Sequence, residues 1–218
     1  MTSSNSTERA ASSPDQSGAP AVHYEVTLGR SIMLIVDPQV AFGAAVLVPD
    51  VERALFGIRR ATGIWRAAGG RVVLTRQIYR NQNDAGRVED FLPGIGEALR
   101  PGSSMVEFHR DVYESWMEVV EKTKFSALVG TRLEEDLKDR GVDTVVVGGL
   151  TTPICVQATV DSLNMAAFRV VLIEDACASQ ALGSLSADEA HRAAIERMRS
   201  LFAEVSTVDA INSQIMLR

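Results

Sequence analysis

The sequence predicts an α/β protein: a three-layer αβα arrangement with a mostly parallel six-stranded sheet and helices on both faces. Three observations point there. Strand-like and helix-like patterns alternate from about residue 31 to residue 208. The best-defined strands are continuous apolar runs, as expected where a strand is buried on both faces. Gly69-Gly70 closes one helix and feeds the next strand, a connection typical of such alternation.

Element by element, the run Ser31-Ile32-Met33-Leu34-Ile35-Val36 reads as the first strand, with Asp37 at its carboxyl end. A helical pattern over 50–67 comes next, then a strand over 71–76. The stretch 77–116 is punctuated by Gly, Pro and Asn and is expected to form loops over the active site. A shorter strand covers 117–121 and a helix 133–140. A buried strand spans 143–148, ending in Gly148-Gly149. Apolar residues at Val156, Val160, Leu163 and Ala167 predict a helix over 154–167. Thr152 is a candidate cap and Pro153 suits its first position. A strand over 169–174, a helix over 187–201 with Ala187, Ala190, Ala194, Met198 and Leu201 on one stripe, and a weak strand over 203–208 complete the chain.

Residues 1–22 are rich in Ser, Thr, Ala, Pro and Gly without the apolar stretch of a secretory signal, so a disordered tail is expected ahead of one domain over 23–218. With 218 residues and 46% hydrophobic content, one core is sufficient. A net charge of −6 without a basic cluster argues against nucleic acid or an anionic membrane as partner. No apolar run approaches a membrane span. Two cysteines suit a reducing cytoplasm, where the protein is expected.

The chemistry gathers at three strand ends. Cys155 falls in the first turn of a helix that follows a buried strand, where free N–H groups and the helix dipole favour a thiolate. A small buried cysteine is more often packing. Asp37 ends a continuous apolar strand, and Lys122 ends the strand-like run Met117–Glu121. A strand-end aspartate is often a cap, and a lone lysine is usually solvated. Three strand ends that each carry a piece of acyl-transfer chemistry are harder to explain by packing. Cys177 also follows a strand, but no helix begins at it, so it reads as a small wall residue.

These segments resemble the isochorismatase-like cysteine hydrolases, which include nicotinamidases, N-carbamoylsarcosine amidohydrolase and streptothricin hydrolases. The resemblance runs from about Arg30 to Val208. Its motifs are Ile35-Val36-Asp37-Pro38-Gln39, Lys122-Thr123-Lys124-Phe125-Ser126-Ala127 and Gly149-Leu150-Thr151-Thr152-Pro153-Ile154-Cys155-Val156, with family-like segments at 126–133 and 175–179. It implies hydrolysis of a C–N bond in a small amide, carbamoyl compound or lactam. Cys155 would be the nucleophile, Asp37 the acid and base, and Lys122 the cation that holds the thiolate. The Cys155 N–H is a natural oxyanion donor, and the resemblance adds the N–H of Thr151 and a cis peptide between Leu150 and Thr151. The alternatives are a binding member without catalysis and an isochorismatase-type ether hydrolase, which needs no cysteine.

Several nicotinamidases hold a metal with Asp and His ligands. Here the second strand exits through Thr75-Arg76-Gln77-Ile78-Tyr79, and His23, His109 and His191 are scattered, so neither metal nor other cofactor is expected. Gln39, Phe42, Tyr79, Trp116 and Phe125 are candidates to line the pocket, and Arg76 or Arg80 to meet a substrate carboxylate. The resemblance and the apolar content of 77–116 also imply a homo-oligomer, a dimer or tetramer.

Overall fold

The structure, a computed structural model, describes residues 22–43 and 48–216. The expected N-terminal tail therefore lies, up to residue 21, outside the described residues. Six strands, β1 (Ser31–Val36), β2 (Arg71–Gln77), β3 (Glu118–Lys122), β4 (Thr144–Leu150), β5 (Arg169–Ala178) and β6 (Glu204–Ser206), form one sheet in the order β3-β2-β1-β4-β5-β6. Every neighbouring pair is parallel. Eight α-helical segments are described: α1 (Val51–Ala67), α2 (Gln82–Ala85), α3 (Val88–Phe91), α4 (Ile95–Ala98), α5 (Leu133–Asp139), α6 (Gln157–Met165), α7 (Ala187–Leu201) and α8 (Val208–Met216).

Strand alternation splits the core in two. Met33 and Ile35 of β1 point to one face, where α1 and α8 bury Ile58, Trp65 and Ile211 against them. Ile32, Leu34 and Val36 point to the other, where α5, α6 and α7 contribute Leu137, Leu163 and Met198. α1 forms because Val51, Ala54, Leu55, Ile58, Ala61 and Trp65 recur at helical spacing and are all buried. Its Gly57 lets the helix lie against the β5 backbone, since a Cβ there would stand 2.3 Å from the Asp175 carbonyl oxygen. α7 starts at a capping box in which Ser186 and Glu189 satisfy each other's backbone N–H groups.

Four features differ from the sequence expectation. The helix after β4 begins as a π-helical turn over Thr152–Val156 before α6, so the regular helix is shorter than 154–167. β5 runs to Ala178, and its register against β4 jumps from Val147↔Leu172 to Gly149↔Cys177, an irregularity no local pattern signals. Short helices α2, α3 and α4 interrupt the loops over 77–116. The weak strand forms as β6, and an unexpected helix, α8, follows it, burying Val208, Ile211 and Ile215 on the α1 side.

The strand order reverses between β1 and β4, and in open α/β sheets the crevice at the carboxyl ends of such strands is the usual binding place. Gly149 makes that edge close-set: it adopts φ +131°, and a Cβ on it would fall 2.2 Å from the Val36 carbonyl oxygen. Among the described residues, no helix is long and apolar enough to cross a membrane.

Candidate active site

β1 delivers Asp37 to the carboxyl edge of the sheet with φ +44°, a left-handed conformation that aspartate tolerates better than most residues. Thr75 of β2 holds it from both sides: the Thr75 hydroxyl accepts from the Asp37 N–H at 3.0 Å and donates to Asp37 Oδ1 at 2.6 Å. Lys122, the last residue of β3, reaches across β2, and its Nζ lies 2.6 Å from Asp37 Oδ2. Lys122 Nζ is also 2.9 Å from the Lys124 carbonyl oxygen, 3.0 Å from that of Phe125 and 3.2 Å from Gln77 Oε1. Four oxygens thus compete for three ammonium protons. Cys155 sits in the π-helical turn, with its thiol donating to Gln77 Oε1 at 3.3 Å. The three residues expected to act together meet at one point.

The electrostatics differ from the expectation of a standing thiolate. Burial pushes the Cys155 thiol well above its ordinary range, Lys122 pulls it down and the Asp37 carboxylate pushes it up again. The Lys122 charge is already matched by Asp37, so its pull does not offset desolvation. For Lys122 itself burial favours the neutral amine, but the Asp37 carboxylate and the Cys155 sulfur outweigh it and raise its pKa. Burial and the nearby carboxylate thus favour the neutral thiol, against the opposing pull of Lys122.

Gln77 is the residue that sequence reasoning missed. Its Oε1 bridges Cys155 and Lys122, and its Nε2 donates to the Tyr79 hydroxyl. The alternation of Thr75, Gln77 and Tyr79 along β2 and its exit signals a shared face, on which all three are buried, but only the strand order decides what Gln77 meets there. Gln39, expected in the pocket, lies beneath it instead. Its Nε2 donates to the carbonyl oxygens of Gln77 at 3.0 Å and Val106 at 2.9 Å, while its Oε1 accepts from the Gln77 N–H at 2.7 Å. Gln39 thus fixes the backbone of Gln77. Thr152 does not cap the helix; its hydroxyl bonds His191 Nδ1 of α7 at 2.8 Å.

A cavity of about 410 Å³ opens onto the sulfur. Cys155, Thr151 and Gln77 line it, as do Phe42, Tyr79 and Phe125 from the expected set. Arg76 and Trp116 are not among its walls. The Arg76 guanidinium stacks 4.5 Å from the Phe108 ring centroid and lies 4.0 Å from Glu121. Trp116 packs on the α1 side of the core beneath the Arg66 guanidinium, 5.0 Å from its ring centroid. Arg80 is paired with Glu121. The Leu150–Thr151 peptide is cis. Cys177 is fully buried beside Gly149 and lines no part of the cavity. His23 pairs with Glu204, and among the described residues no group of three His, Cys, Asp or Glu side chains is placed to share a metal ion.

Residues 31–210 match the isochorismatase domain model. Nicotinamidase 3 of Arabidopsis thaliana is 26% identical over 184 residues, 79% of this chain and 89% of that protein. The streptothricin hydrolase of Streptomyces noursei is 35% identical over 149 residues, 67% of this chain and 54% of that protein. Among solved structures, a cysteine hydrolase from Pseudomonas syringae pv. phaseolicola 1448A superposes with a TM-score of 0.86 at 26% identity, covering 91% of this chain and 98% of that one.

Proposed function

Because the chain belongs to the isochorismatase family of hydrolases, we propose that it hydrolyses a C–N bond in a small amide, carbamoyl compound or lactam through a thioester on Cys155. The observation that carries this reading is the meeting of Asp37, Lys122 and Cys155 at the carboxyl edge of the sheet, with Cys155 opening onto one cavity. The streptothricin hydrolase, nicotinamidase and N-carbamoylsarcosine amidase among its relatives are named for such chemistry.

In this reading Asp37 takes the Cys155 proton as Sγ attacks the substrate carbonyl carbon. Thiol, carboxylate and ammonium become thiolate, carboxylic acid and ammonium, so the buried site keeps a net charge of zero throughout. That matters because an uncompensated charge at this depth is costly. The N–H groups of Thr151 and Cys155 stabilise the oxyanion. Asp37 then gives its proton to the leaving nitrogen, the C–N bond breaks, and an acyl thioester remains. Water attacks that carbonyl with Asp37 as base; the acid departs and the thiol is restored. Gln77 holds the sulfur and the ammonium in register.

No step in this scheme calls on a metal, so exhaustive chelation should leave the rate within about twofold, well short of the 10²-fold or greater loss that removing a catalytic acid–base group brings. Two free thiols suit a reducing compartment, and we place the protein in the cytoplasm, as a homo-oligomer. The deciding experiment is ammonia or amine release over a panel of amides, ureas and lactams, with intact-mass detection of an acyl adduct on Cys155. Undiminished turnover by Cys155→Ala would sink the reading and favour ether hydrolysis, which needs no thiol.

A further inference from the structure

The walls of the cavity narrow the substrate further, on the premise that Cys155 is the nucleophile. We infer that the substrate is an uncharged amide with an apolar body, and that Gln180 selects it by accepting a hydrogen bond from its amide N–H.

Three observations carry this. First, away from the sulfur the cavity is walled by aliphatic and aromatic groups, chiefly Phe42, Val88, Leu92, Ile95, Phe125 and Ile154. Among the described residues, no side chain that carries a charge lines it.

Second, the nearby cations are engaged elsewhere. Arg76 is stacked on Phe108 and faces Glu121, Arg80 is paired with the same glutamate, and Lys122 is neutralised by Asp37. Lys124 is exposed, with its Nζ 3.2 Å from the Asp84 carbonyl oxygen. A substrate carboxylate would lose its hydration here and gain no partner, a large penalty in an apolar cavity. The arginines read from the sequence as carboxylate receptors are therefore unsuited to that role.

Third, Gln180 lines the cavity, and its Oε1 is buried with no hydrogen-bond partner among the described residues. An unpaired buried acceptor in an apolar wall is unfavourable until something donates to it. A bound amide supplies that donor. The size also fits: an apolar cavity of roughly 150 Å³ takes a benzene ring, so about 410 Å³ admits a ring with a short chain or a bicyclic body.

The test separates this inference from the hydrolytic reading by measuring binding to the Cys155→Ala protein, where no turnover occurs. Titration calorimetry compares hexanamide with adipamic acid, which has the same chain length but ends in a carboxylate. Hexanamide should bind at least about tenfold more tightly, as expected from the cost of an unpaired buried charge. Equal or tighter binding of adipamic acid, or no binding of hexanamide at millimolar concentration, would overturn the inference. Adding Gln180→Leu should weaken hexanamide several-fold and leave N,N-dimethylhexanamide, which has no N–H, unaffected. Equal effects on both ligands would remove Gln180 from the role. Hexanamide that binds normally yet yields no ammonia with the unmodified protein would instead count against hydrolysis.

Discussion

Lys122 Nζ stands 2.6 Å from Asp37 Oδ2, and neither side chain has any exposure to solvent. Such a pair contributes little to stability when compared with apolar residues, yet breaking it leaves one charge buried alone. That typically costs about 3–5 kcal/mol. Lys122→Met and Asp37→Leu should each lower the unfolding midpoint strongly, and the double variant should recover most of the loss. Urea denaturation of the three variants checks this; losses that simply add would mean the two charges are not coupled.

The same pair makes a kinetic prediction. Asp37→Asn and Lys122→Ala should each reduce kcat/KM by roughly 10² to 10⁴, the range of general acid–base catalysis. The double variant should be little worse than the poorer single, because both serve one step. Retention of most activity by Lys122→Ala would dismiss it from the site and make Lys124 the next lysine to test.

Cys155 and Cys177 are both buried, but only Cys155 opens on the cavity. Iodoacetamide should label Cys155 well before Cys177, as peptide mapping would show, and Cys155→Ser should abolish turnover with the fold intact. Labelling in the reverse order, with an active Cys155→Ser protein, would defeat the assignment.

The same thiols set the alkaline stability. Burial pushes both above the ordinary value of 9.0, Cys177 to about 12. Above about pH 9 the unfolded chain releases thiol protons that the folded protein retains, so stability falls as pH rises. The raised pKa of Lys122 acts in the same direction at higher pH. Urea midpoints between about pH 8 and 11 should decline, and the decline should be shallower in Cys177→Ala. A flat or rising profile would contradict the burial of these groups.

Self-association is expected from the cavity's outer wall. Phe91 is 83% exposed and its neighbour Leu92, a wall residue, 48%. Covering these with a second copy would remove apolar surface from water beside the site. Light scattering after size exclusion should give a mass above the 23.6 kDa of one chain, and Phe91→Glu should lower it. A monomer at micromolar concentration would disprove this.

The sequence by itself determined the parallel sheet and the placing of three candidate catalytic residues at or just beyond strand ends. Continuous apolar runs such as Ile32–Val36, alternating with helical patterns, suit strands buried on both faces, and in a parallel sheet the residues that follow such strands come to the same edge. Asp37, Lys122 and Cys155 were legible for that reason. Tertiary structure alone decided the rest. Gln77 became a bridge because strand order sets β3, β2 and β1 side by side, and no local pattern encodes that order. Arg76 and Trp116 were lost from the pocket to partners distant in sequence, Phe108 and Arg66. The direction in which the Cys155 thiol is shifted was equally hidden. A helix start and a nearby lysine argue for a thiolate, but burial and an adjacent carboxylate reverse the sign, and both arise only when residues 37, 122 and 155 share one dry site.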